Sequence, residues 1–236
     1  MALAISKLGT SIFSTANVSP YTFAAVTPTG SAGIVLGTVT SATSAPGKGT
    51  PDVPTWLDGA WTEETDVTQG SDNMRLTTWS GKTIASPGSD SVDVSVTGSP
   101  TGCCIIVVQA TGQDTTDFVL QPETSDPGGT GTSASATLNG ALAGTDSACL
   151  AFIAHNTNED QVPTGGETEL DDGGHSAPTR RLSAQFEIND TVTGANWTTA
   201  STRLIAAMEL KAAAAAIVLP PSPLIGRDAV NRSYTY

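Results

Sequence analysis

Basic residues are scarce in this chain: 10 Lys and Arg stand against 23 Asp and Glu, a net charge of −13 at pH 7. Sequence-independent binding to nucleic acid needs a basic patch that displaces counterions from phosphates. Arg180-Arg181 is the only basic pair, so no nucleic-acid partner is expected. Long apolar runs are missing as well. No stretch reaches the ~18 apolar residues of a membrane span, and prolines end the short run at 212–219. Residues 1–7 lack the charged start and long apolar core of a secretory leader, so neither membrane nor export is expected. Cysteine is limited to Cys103, Cys104 and Cys149. An odd number with two adjacent makes a poor disulfide framework. All three sit in apolar runs and read as buried reduced thiols made in a reducing cytoplasm. Aromatics are 5% of the chain and charged residues 14%.

Glycine (24) and proline (14) are frequent, and Ser and Thr are abundant. This is the composition of many short strands joined by turns, with hydroxyls keeping the surface soluble. At 236 residues the chain suits one large β-sandwich or two small domains. Strand patterns fall at 1–8, 21–26, 33–40, 74–79, 91–97, 103–110, 133–138, 148–154, 181–188 and 202–210, with another in the stretch 56–67 that holds two tryptophans. Val92, Val94 and Val96 alternate with Asp93 and Ser95, as in a half-buried antiparallel strand. Residues 103–110 and 148–154 are continuously apolar and read as central strands buried on both faces. In 202–210 the alternation of Leu204, Ala206, Met208 and Leu210 favours strand, against the helix preference of the Ala run that follows. Segments 41–54, 122–132 and the acid-rich 159–172 read as loops. About ten strands without intervening helices point to an all-β antiparallel β-sandwich over residues 1–210, with jelly-roll-like connections. No internal repeat of solenoid or propeller type is present.

Sites of chemistry are few. Glu159, Asp160, Glu167, Glu169, Asp171 and Asp172 offer oxygen ligands of the kind Ca²⁺ takes, but the spacing is not that of an EF-hand, and a solvated acidic loop, or one facing a basic patch on a neighbour, is the stronger reading. His155 and His175 lack the paired spacing of zinc ligands. A Cys103 or Cys104 nucleophile would lie mid-strand in apolar surroundings that raise its pKa. There is no Gly-x-Ser-x-Gly elbow, and the Gly-rich 128–131 is not followed by Gly-Lys-Ser/Thr. No enzyme activity, cofactor or metal is expected. Of the four tryptophans, Trp61 and Trp79 are the candidates for an exposed ligand-stacking or interface face.

The order of segments resembles a β-sandwich family common among tailed-bacteriophage virion proteins. An apolar strand leads to a tryptophan-containing segment and then to an alternating strand ending at Trp79. The buried strand Cys103-Cys-Ile-Ile-Val-Val108 follows, then the small-residue strand Thr132-Ser-Ala-Ser-Ala-Thr-Leu138, a second core strand at 149–154, and a closing strand from Trp197 to Leu210. The resemblance spans about residues 1–210 and is diffuse. It implies a structural protein of the virion, assembled in the host cytoplasm, and carries no catalytic residue.

Residues 211–236 lie outside that pattern. Pro220, Pro221 and Pro223 disfavour helix and central strand and favour an extended path. Such an arm has little to bury against itself. Ile217, Leu219, Leu224, Ile225, Tyr234 and Tyr236 are therefore expected to bind a neighbouring subunit. The resulting expectation is a capsid decoration or cement subunit in a homo-oligomer, joined to other virion proteins. The alternative is a tail-associated receptor- or glycan-binding module.

Overall fold

The computed structural model describes residues 2–69, 73–125, 129–176 and 178–214. The six arm residues singled out above, Ile217, Leu219, Leu224, Ile225, Tyr234 and Tyr236, lie outside these. Sixteen strands and no helix occur among the described residues. The first half of the chain carries β1 (Ala4–Lys7), β2 (Ile12–Ser14), β3 (Tyr21–Val26), β4 (Gly33–Ala42), β5 (Gly49–Pro51), β6 (Thr62–Gln69), β7 (Met74–Lys82), β8 (Asp90–Val96) and β9 (Pro100–Thr111). The second carries β10 (Val119–Ser125), β11 (Thr130–Thr137), β12 (Ala148–His155), β13 (Val162–Pro163), β14 (Thr168–Ser176), β15 (Thr179–Ile188) and β16 (Val192–Leu210). The all-β antiparallel sandwich is as expected, but the strand count exceeds ten. β2, β5, β10, β13 and β14 fall in stretches with little apolar alternation. They are short or edge strands with few apolar positions, so hydrophobic period does not mark them.

The two halves have the same topology. In the first, a six-stranded sheet runs β1-β9-β4-β7-β6 with β2 also on β9, and a three-stranded sheet runs β3-β8-β5. In the second, β10-β16-β12-β15-β14 repeats the first order element for element, and β11 and β13 pair with β16. β16 alone does the work of β8 and β9. Its beginning pairs with β11 and β13, and its end with β10 and β12. Registers match too. Leu36 pairs with Val107 and Trp79, while Ala151 pairs with Ala207 and Gln185. A bulge interrupts β6 between Glu63 and Thr65, and one interrupts β14 at the equivalent place between Glu169 and Asp171. The described residues thus form two copies of one sandwich module, and within each the chain passes back and forth between inner and outer sheet as a jelly roll does.

The central inner strands are apolar on both faces because they lie between two cores. Cys103, Ile105 and Val107 of β9 point to the outer sheet of the first module, with Tyr21, Phe23, Val92 and Val94. Cys104, Ile106 and Val108 point the other way, to Leu150, Phe152, Leu204 and Met208 of the second module. β12 and β16 do the same, sending Cys149, Ile153 and Ile205 outward to Ala134, Leu138 and Trp197. The modules meet reciprocally, as across a two-fold axis. β9 packs on β14 and β15, and its equivalent β16 packs on β6 and β7. The module ends also meet antiparallel: Gln113 bridges Ala212, Ala213 N–H donates to Gly112 O at 2.8 Å and Asp114 N–H to Lys211 O at 2.8 Å.

At the interface, equivalent positions are complementary rather than alike. Gly37 of β4 corresponds to Phe152 of β12 by register. A Cβ on Gly37 would come within 2.3 Å of the Phe152 ring, so one module's missing side chain accommodates the other's large one.

Candidate functional site

The acid-rich segment read as a loop runs through β13 into the edge strand β14, and Asp160, Asp171 and Asp172 are tied to the chain's own cations. Asp171 accepts from Lys7 Nζ at 2.9 Å and from Ser11, joining β14 to the first module. Asp172 Oδ1 accepts from Arg181 Nε at 2.7 Å and its Oδ2 from Gln161 N–H at 2.6 Å. Arg181 also pairs with Asp160, whose side chain is 87% exposed. Burial raises Asp172 against the lowering effect of the Arg181 bonds. Burial, with Asp172, Asp160 and Asp171 nearby, raises Glu169. Asp160, Glu169, Asp172 and Arg181, with Gln161, Val162 and Pro163, line an open pocket of about 430 Å³. Among the described residues, no group of three or more His, Cys, Asp or Glu side chains is placed to hold a metal ion.

A second pocket of about 390 Å³ lies where β6 and β7 meet the start of β10. Glu64 is its half-buried carboxyl, raised by burial and accepting a hydrogen bond from Ser80. Asp58, Asp117 and Lys82 are also on its wall.

Most of the other singled-out residues lie in the interior. Cys103, Cys104 and Cys149 are buried free thiols. Burial pushes all three up, Cys149 to about 12. None is a thiolate nucleophile near neutrality. His155 stacks on Trp197, centroids 4.6 Å apart, and its Nδ1 pairs with Thr157. Burial lowers it to about 4. His175 is buried against Gly102 at the module interface, and burial lowers it also. Trp79 is in the core, its Nε1 donating to Gly49 O at 2.9 Å. Trp61 is half-buried, edge-on to Trp56 at 5.9 Å, with its Nε1 on Asp52 O. Of the two tryptophans, only Trp61 keeps part of a ring face in solvent.

Sequence reasoning missed Lys48, Glu63, Asp66 and Arg75 as a group. Arg75 Nε donates to Asp66 Oδ1 at 2.7 Å, and Lys48 Nζ sits 2.6 Å from Glu63. Their only signal is the parallel with Asp172, Arg181 and Glu169, which is visible once the strand registers are known. No family model matches the chain, and no curated protein and no solved structure matches it.

Proposed function

We propose that this chain is a virion structural protein, a capsid decoration or cement subunit that binds neighbouring subunits through the arm after Leu210. The order of segments supports the virion reading, and the observation that carries the adhesive mechanism is how the arm is rooted. β16 is hydrogen-bonded along both edges and leads directly into residues 211–214. Lys211 N–H donates to Phe118 O at 2.7 Å, its Nζ pairs with Asp114 at 3.0 Å, and Ala213 is bonded to Gly112. A tether loaded at this point pulls along a central strand laddered on both sides, in the body's most buried layer. Apolar anchors such as Leu224, Ile225, Tyr234 and Tyr236 would supply burial on the partner, and an extended path allows strand addition to an exposed edge. Repetition around a closed assembly multiplies each weak contact.

Deleting residues 215–236 leaves this root intact. The truncated chain is expected to stay soluble and to melt within about 2 °C of the full chain, since a change well under 1 kcal/mol is at stake. It is expected to be lost from purified particles. Full incorporation without the arm overturns the reading. Immunogold labelling of particles then decides position: label over the head fits a decoration subunit. Label at the tail favours the receptor-binding alternative, for which Trp61 is the aromatic to mutate.

A further inference from the structure

The pocket between β13 and β15 has a twin in the first module, and the two differ in one respect. By ladder register Glu63 stands for Glu169, Asp66 for Asp172 and Arg75 for Arg181. Just before β5 and β13, Lys48 and Asp160 each precede by three residues a ladder proline, Pro51 and Pro163, and so occupy like places. In the first module Lys48 holds Glu63, so two cations face two carboxylates. In the second a carboxylate replaces the lysine. Arg181 alone faces Asp160, Asp172 and Glu169. Among the described residues no hydrogen bond or ion pair reaches the Glu169 carboxylate. In the twin the equivalent carboxylate, Glu63, is met by a side-chain cation. Val162, 61% exposed, and Pro163 form the apolar part of the wall, suited to the aliphatic stem behind such a head.

No basic residue of the described body is free to fill the place. Lys7, Lys48, Arg75, Arg181 and Lys211 are ion-paired. Lys82, Arg180 and Arg203 donate to backbone carbonyls. The chain's other basic residues are Arg227 and Arg232, both in the arm.

We propose that this pocket is a socket for an arm arginine, Arg227 or Arg232, from a second copy of the chain. The proposal rests on the arm reading above and names where the arm goes. The planar guanidinium matches paired carboxylates, and Glu169 and Asp160 are the acceptors not already held on every side. The apolar residues flanking the arginine supply burial around the charged contact.

Self-association of the full chain, followed by sedimentation velocity over a concentration series, tests this. Asp160→Lys rebuilds the first module's arrangement and fills the socket from within. It is expected to melt no lower than wild type while raising the dissociation constant about tenfold, the scale for removing a partly desolvated charge contact. Arg227→Ala or Arg232→Ala is expected to do the same. Combining the effective one with Asp160→Lys is expected to add little, since both remove one contact. Glu169→Gln gives a second variant with minimal change of shape. If the arm variants weaken association while Asp160→Lys and Glu169→Gln do not, the socket is overturned and the arm reading stands. If association survives loss of residues 215–236, the arm reading itself falls. A wild-type chain that stays monomeric throughout overturns the second-copy partner.

Discussion

His155 shows how a single residue links burial to solution behaviour. It lies flat on Trp197 with no exposed surface, and burial holds its pKa near 4. An unfolded histidine titrates near 6.5. Between those values the unfolded chain binds the proton and the folded chain does not, so stability falls as pH drops from about 6.5 towards about 4. At ~1.4 kcal/mol per pH unit of separation, the loss is about 2 kcal/mol by pH 4.5. Urea midpoints at pH 7 and 4.5 should show it, and His155→Asn should flatten the difference. His175 acts in the same direction, so some slope remains in the variant. Carboxyls raised by burial, such as Glu64 and Asp172, act oppositely, favouring the folded state as pH falls through their raised values. Asp114 and Glu159, held near 2 by hydrogen bonds, matter only at lower pH. Equal slopes for His155→Asn and wild type would show that the imidazole titrates normally in the folded protein.

Among the elements, the facing strands β4 and β12 carry the tightest constraint. Gly37→Phe puts two rings in one space and should cost several kcal/mol or prevent folding. Phe152→Gly leaves a large cavity, costing about 3–5 kcal/mol. Because the positions are equivalent, exchanging both residues should recover most of the loss. Chemical denaturation of the three variants measures that coupling, and a double variant no better than the worse single one would refute the equivalence. Strands such as these were legible in the sequence because they are apolar on both faces: 103–110 and 148–154 stand out as central strands, and the structure extends them only slightly. β14 was not legible, since Thr-Glu-Leu-Asp-Asp-Gly-Gly-His-Ser presents charges whose partners, Lys7 from the far end of the chain and Arg181 from the next strand, the apolar pattern does not reveal. β10 hid behind Pro122, which the strand tolerates at a bulge. The duplication was hidden for the same physical reason that makes it work. Equivalent inner positions such as Gly37 and Phe152 complement one another, so similarity at the interface is what packing removes. Arg75 with Asp66 and Arg181 with Asp172 survive as a pair, but nothing in the sequence alone says which residues to align.

At the scale of the molecule, the equivalence of the halves makes the join between them movable. Ala2 and Ala213 both lie against Gly112. Joining Ala214 to Ala2 through a glycine or two spans the gap that residues 113–118 span between the modules. A permuted chain that begins at Thr116 and ends at Thr115, with the arm omitted, should keep the fold and melt within about 3 °C of the arm-less chain in the native order, a difference of about 1 kcal/mol. Circular dichroism and calorimetry check this, and loss of the cooperative transition would show that the order of the modules matters. The glycine-and-ring fit has a last consequence for how such chains are made. Nascent copies emerging side by side from one message expose the same sticky face many times over. Two first halves from different chains would meet glycine on glycine and leave a void; two second halves would collide ring on ring. Only unlike halves fit, and the tether raises the local concentration of the one already attached, so pairings of like halves between chains are disfavoured.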